Sequence, residues 1–150
     1  MPNKNSFFEN IQRGIKKRRL NQTRGLSMGN DQVTIINRSS ASMRHLKQTS
    51  AMIIEAHAEM KHKYPFMAEQ ISQPNFTLYL RDPCDYRRTH DNRAWYIPGT
   101  PAINFDPHFT WGHGDMRYCI VHESTHYLHY NSGYRDVTLG MRPDTWVAIE

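Results

Sequence analysis

The sequence predicts a single α+β domain built on a small mixed or antiparallel sheet. Its 150 residues are enough for one compact hydrophobic core. Two long segments carry apolar residues at helical spacing, and four short segments are rich in β-branched and aromatic residues. The pattern therefore indicates a few strands combined with two long helices.

The first half of the chain predicts one strand followed by one long helix. Gln32–Asn37 is β-branched and strand-like. The helix begins at Ser40 or Ser42, because a serine hydroxyl can cap it, and runs to about Lys63. Tyr64-Pro65 ends it. Six of its residues share one face: Met43, Leu46, Ser50, Ile53, His57 and Met60.

The middle of the chain predicts a second strand and a hairpin. The strand is Asn75–Leu80, and the hairpin joins Arg93–Ile97 to Ala102–Phe105 across a Pro-Gly turn. Pro101 and Pro107 flank the second arm of the hairpin. Because proline cannot donate a ladder hydrogen bond, we expect Ala102–Phe105 to be an exposed edge strand over a cleft.

A second long helix is predicted after the hairpin. Asp115 is a suitable N-cap, the helix runs from Met116 to about Tyr130, and Asn131-Ser132-Gly133 ends it.

The net charge of +5 is concentrated at the start of the chain. Residues 1–24 hold seven basic side chains and one acidic one, whereas the other 126 residues hold 12 basic and 13 acidic side chains. We therefore predict a basic, flexible arm and linker over residues 1–30 and a near-neutral domain over residues 31–150. Such a domain gives no support to specific nucleic-acid binding.

The basic arm has one further pattern. Over residues 7–20, apolar residues at helical spacing precede a run of four basic side chains. This is typical of a short amphipathic helix that contacts an acidic partner or an anionic membrane surface, while a solvated tail is the simpler interpretation.

Several classes of protein are excluded by simple patterns. No run approaches the ~18 apolar residues of a membrane-spanning helix. The first 20 residues lack the apolar region of a cleaved signal peptide. Cys84 and Cys119 do not form a C-x-x-C pair, so neither a disulfide framework nor a thiolate zinc site is expected.

The second long helix contains His122-Glu123-Ser124-Thr125-His126, an H-E-x-x-H motif. His122 and His126 are one helical turn apart, so both imidazoles can bind one Zn²⁺. Glu123 lies beside them, where its carboxylate can accept a proton from water. The motif therefore predicts a catalytic zinc site.

The third zinc ligand is less defined by the sequence. His129 lies about 10 Å from His122 along a continuous helix, too far for easy ligation, so packing is its simpler role. Asp136 and Glu150 are the carboxylate candidates downstream, and Glu150 is preferred because Asp144 can begin a further helix that presents it.

The C-terminal third resembles the NleD-like zinc metallopeptidase effectors, which pathogenic bacteria inject into host cells. The similarity covers Ala102-Ile103-Asn104-Phe105-Asp106-Pro107, the motif helix through His129, and Trp146 to Glu150. It implies a zincin-like fold, His122, His126 and Glu150 as zinc ligands, and Glu123 as general base. It also implies secretion without a cleaved signal peptide into the host cytoplasm or nucleus; an enzyme of the bacterial cytoplasm is the alternative.

The expected activity is hydrolysis of peptide bonds in a protein by a monomeric enzyme. The substrate would lie as an extended strand along Ala102, Ile103, Asn104 and Phe105. Tyr134 or Arg135 would assist at the oxyanion, and His108 and His113 are more simply surface residues. The alternative function is a basic nucleic-acid-binding or structural zinc protein.

Overall fold

The computed structural model describes residues 23–83 and 93–132, which form three helices and a four-stranded sheet. The predicted α+β class is confirmed. In chain order the elements are β1 (Ile35–Asn37), α1 (Met43–Lys63), α2 (Pro65–Ile71), β2 (Thr77–Leu80), β3 (Ala94–Trp95), β4 (Ala102–Phe105) and α3 (His113–Asn131).

The sheet is mixed, with the strand order β1-β2-β4-β3. β1, β2 and β4 run parallel, with Ile36 opposite Tyr79 and Tyr79 opposite Asn104. β3 runs antiparallel to β4, so that Trp95 lies opposite Asn104. The predicted hairpin is therefore present, and the main chain turns where the Thr100 N–H donates to the Ile97 carbonyl at 3.2 Å.

The prediction that Ala102–Phe105 is an exposed edge strand is wrong. All four residues of β4 are buried, and the strand pairs with β2 on one side and β3 on the other. The flanking prolines do not prevent this, because Pro101 and Pro107 lie just outside the strand and remove no ladder donor. Pro101 even contributes its carbonyl, which accepts from the Thr77 N–H at 3.0 Å. The edge position belongs to β3.

Residues 25–28, from the predicted linker, lie against β1. The Gly25 N–H donates to the Asn37 carbonyl at 2.7 Å, and the Met28 N–H donates to the Ile35 carbonyl at 2.8 Å. Gly25 has a φ of 84°, which favours glycine. This part of the predicted linker thus packs on the sheet, whereas residues 1–22, including the segment 7–20, are outside the described residues.

The helix α1 begins where the sequence predicted. The Ser42 hydroxyl accepts from the His45 N–H at 3.3 Å, which makes Ser42 the N-cap. The predicted apolar face is buried except for Met43, which is 40% exposed at the first turn. Pro65 ends α1 and also begins the short helix α2, which the sequence analysis did not predict.

The helix α3 begins three residues earlier than predicted. Its N-cap is Gly112, and Asp115 lies in the first turn, where its carboxylate pairs with Arg93 at 3.2 Å. Trp111, just before the helix, is bound to Gln48 through its main chain. The Trp111 main-chain N–H donates to the Gln48 Oε1 at 3.0 Å, and the Trp111 carbonyl accepts from the Gln48 Nε2 at 2.7 Å. These bonds tie the start of α3 to α1.

The hydrophobic core lies between the sheet and the helices. Its fully buried side chains include Ile35, Leu46, Ile53, Phe76, Leu78, Leu80, Ile103, Phe105, Met116 and Ile120. Burial of this many apolar side chains is the main stabilising contribution to a domain of this size. In the described ranges, no helix combines the length and the apolar composition that crossing a membrane requires.

Candidate metal centre

The H-E-x-x-H motif lies in the second half of α3, which packs against α1, α2 and β3. Ile120, Ser124 and Leu128 are buried and hold the helix on the core. The motif residues His122, Glu123 and His126 are half-buried. The helix thus presents the motif at the boundary between core and solvent, where a ligand can reach it.

The two motif histidines point at each other. Their Nε2 atoms are 3.1 Å apart, and their rings meet edge to face with centroids 4.7 Å apart. Two nitrogens that each lie 2.0–2.1 Å from a tetrahedral zinc are about 3.3–3.4 Å apart. The Nε2–Nε2 separation of His122 and His126 is therefore about 0.2–0.3 Å shorter than that of two zinc-bound imidazoles. In the absence of metal, the same separation suits a hydrogen bond between the two rings.

Burial keeps both imidazoles neutral. Burial lowers the pKa of His122. It also lowers the pKa of His126 to about 4, with a further contribution from the neighbouring imidazoles of His122 and His129. A neutral imidazole is the form that binds a metal ion. Both rings are consequently ready to bind at neutral pH without losing a proton.

The thiol of Cys119 lies one helical turn before Glu123 and is influenced by its charge. Burial, followed by the negative charges of Glu123 and Asp115, raises the pKa of the Cys119 thiol to about 11. Cys119 therefore stays protonated at neutral pH and is a poor metal ligand.

The structure does not bring a third ligand to the His122–His126 pair within residues 23–83 and 93–132, where no group of three metal-binding side chains forms. His129 is buried, 8% exposed, and lies on the same continuous helix. Glu150, Asp136, Tyr134 and Arg135 lie outside the described residues.

His108 and His113 have partners of their own at the surface. His113 pairs with Glu55 at 3.2 Å, and His108 bonds to Asp82. Partial burial alone would raise the pKa of Asp82, but the hydrogen bonds from His108 and Ser40 and the charge of His108 outweigh it and lower that pKa. Both histidines thus contact carboxylates at the surface.

Tyr118 contacts the motif, which was not predicted from the sequence. Its ring stacks on the His122 imidazole, with centroids 5.5 Å apart and an angle of 27° between planes. The side chain is 61% exposed. Its position four residues before His122, one helical turn away, is the sequence signal that identifies it.

An aromatic cluster fixes the other end of the motif helix. Tyr127 meets Phe76 and Tyr96 edge to face at centroid distances of 4.7 and 5.9 Å, and Tyr130 meets Tyr96 at 6.3 Å. Tyr96 follows the edge strand β3 directly. These contacts hold the motif helix at a fixed position beside that strand.

No family model matches the sequence, and neither a curated protein nor a solved structure matches it.

Proposed function

We propose that this protein is a zinc-dependent endopeptidase. The observation that carries the proposal is the H-E-x-x-H helix, which brings the Nε2 atoms of His122 and His126 within 3.1 Å of each other at half-buried positions. The neutral state of both rings and the adjacent carboxylate of Glu123 support the same function.

His122 and His126 would hold the zinc, with a third ligand from residues 133–150. Glu150 remains the preferred third ligand, and Asp136 the next. When bound, zinc polarises the scissile carbonyl and makes water acidic enough to attack near neutral pH. Glu123 would accept the proton of the attacking water and return it to the leaving amine. Tyr134 remains the proposed helper at the oxyanion.

The substrate would bind as an extended strand, but along β3 rather than β4. β4 is paired on both sides, whereas among residues 23–83 and 93–132 β3 is an edge strand of the sheet and lies beside α3. The Arg93 carbonyl accepts from the Asp106 N–H at 2.8 Å, so Arg93 faces β4. Because residues alternate in an antiparallel pair, Ala94 turns its main-chain groups away from β4, on the side where a strand would be added. Ala94 and Trp95 are themselves buried, at 6% and 3% exposure, so a substrate strand would have to displace the groups that cover them.

The NleD-like family, and with it export into a host cell, remains a proposal that rests on the sequence resemblance. The strand Ala102–Phe105 with Asp106-Pro107, the motif helix and the segment from Trp146 to Glu150 are the parts of the chain that carry this resemblance. A monomer acting on a protein substrate is the form of the enzyme that we propose.

The test compares the zinc-loaded wild type with Glu123→Gln on a cell lysate, followed by mass spectrometry of new protein termini. Glu123→Gln keeps the size of the side chain but removes the base, so we expect cleavage to fall about 10²–10⁴-fold while zinc content is unchanged. Glu69→Gln is the matched control, because it makes the same chemical change at an exposed position on α2.

The proposal fails if the zinc-loaded wild type generates no new termini. It also fails if Glu123→Gln and Glu69→Gln cleave equally well.

A further inference from the structure

We infer that Tyr118 forms one wall of the substrate-binding site and selects an aromatic or large aliphatic side chain beside the scissile bond. This inference rests on the proposed endopeptidase function and names the class of substrate for that same site.

The Tyr118 ring lies beside the histidine pair. Tyr118 lies one turn before His122, about 6 Å along the helix axis. It stacks on the His122 imidazole, so any substrate that reaches the histidine pair passes close to this ring. A peptide residue next to the reacting bond is therefore within contact distance of Tyr118.

The Tyr118 ring is also open to solvent. Tyr118 is 61% exposed, although one face of its ring is already covered by His122. Within the described ranges, the other exposed large apolar residues are Leu26, Met43 and Phe66, and none of them lies on α3. A ring that is held by a neighbour and still open to solvent binds a second apolar group at low entropic cost.

The charged side chains near Tyr118 on the helix are paired with opposite charges. Asp115 pairs with Arg93 at 3.2 Å, and Arg117 pairs with Glu59 at 3.4 Å. The charged side chains nearest to Tyr118 along the helix are thus compensated. A neutral, apolar substrate side chain fits this surface better than a charged one, because it forms the stacking contact without an uncompensated charge.

The experiment measures the cleavage preferences of the full-length, zinc-loaded protein on a mixed peptide library with mass-spectrometric readout. The variants are Tyr118→Ala and Tyr118→Phe, with Phe66→Ala as the control, since Phe66 is 51% exposed on α2. Zinc content and circular dichroism verify that each variant is folded and loaded.

We expect the wild type to enrich aromatic and large aliphatic residues at one position next to the cleaved bond. Tyr118→Ala should reduce that enrichment about two- to tenfold, as expected for the loss of one stacking contact, while Tyr118→Phe and Phe66→Ala retain it.

The other outcomes separate the two proposals. If the wild type cleaves but Tyr118→Ala keeps the same profile, or if the wild type shows no apolar preference, the role of Tyr118 is wrong and the endopeptidase stands. If the zinc-loaded wild type does not cleave at all, both proposals are wrong.

Discussion

The two long helices, α1 and α3, each carry histidines, but they use them in opposite ways. His57 on α1 is 2% exposed, and its Nε2 lies 3.0 Å from the Ala68 carbonyl and 2.9 Å from the Ser72 hydroxyl. His122 and His126 on α3 are half-buried, and their Nε2 atoms face each other. The direction of Nε2, rather than burial alone, distinguishes a structural histidine from a candidate ligand.

The difference follows from what each helix packs against. His57 reaches the short helix α2, where the Ala68 carbonyl and the Ser72 hydroxyl supply hydrogen-bond partners near its C-terminal end. It therefore joins α1 to α2. The face of α3 that carries the motif is turned partly to solvent, and its two imidazoles converge there.

The largest effect on stability is expected at His57. His57→Ala removes a buried ring and leaves the Ser72 hydroxyl without this partner, so the free energy of unfolding should fall by about 2–4 kcal/mol. Urea denaturation measures it, with His62→Ala as the control, because His62 is exposed on the same helix. Zinc affinity should be unchanged. A loss below about 0.5 kcal/mol would mean that His57 does not join the helices.

A smaller and more gradual effect is expected from pH. Burial lowers the pKa of His57, His122 and His126, so the unfolded chain binds protons at these sites before the folded one does. The stability of the metal-free protein should therefore be complete above about pH 6.5 and fall as the pH decreases below it. Asp82, with its lowered pKa, adds a further loss at more acidic pH.

Denaturant midpoints between pH 8 and pH 5 measure this dependence. His57→Ala should flatten the curve in part, because one of the three histidines no longer contributes. A midpoint that stays constant or rises on acidification would contradict the burial of these rings.

Much of the fold could be predicted because local chemistry determines it. Ser42 caps α1 as its position before the apolar face indicates, and the Pro-Gly turn defines the hairpin. The one-turn spacing of His122 and His126 likewise predicts that they converge. These features depend on residues that are close in sequence.

The features that the sequence did not predict depend on distant partners. Flanking prolines suggested an edge strand at Ala102–Phe105, but β2 covers one side of it through pairing that no local signal reveals. The sequence pattern predicted that Pro65 ends α1 but not that it begins α2. Proline is common at both kinds of position, so the residue alone does not distinguish them. His57 and Tyr118 looked like ordinary helix residues, because their roles come from contacts made only in the folded chain.

The most direct test of the central claim is zinc binding by the metal-free, full-length protein. The wild type should bind one zinc ion, and His122→Ala and His126→Ala should bind it about 100-fold more weakly or worse, since each removes a ligand. His57→Ala, under conditions in which it is folded, should bind zinc as the wild type does. Absence of stoichiometric zinc in the wild type, or equal affinity in the His122 and His126 variants, would contradict the account.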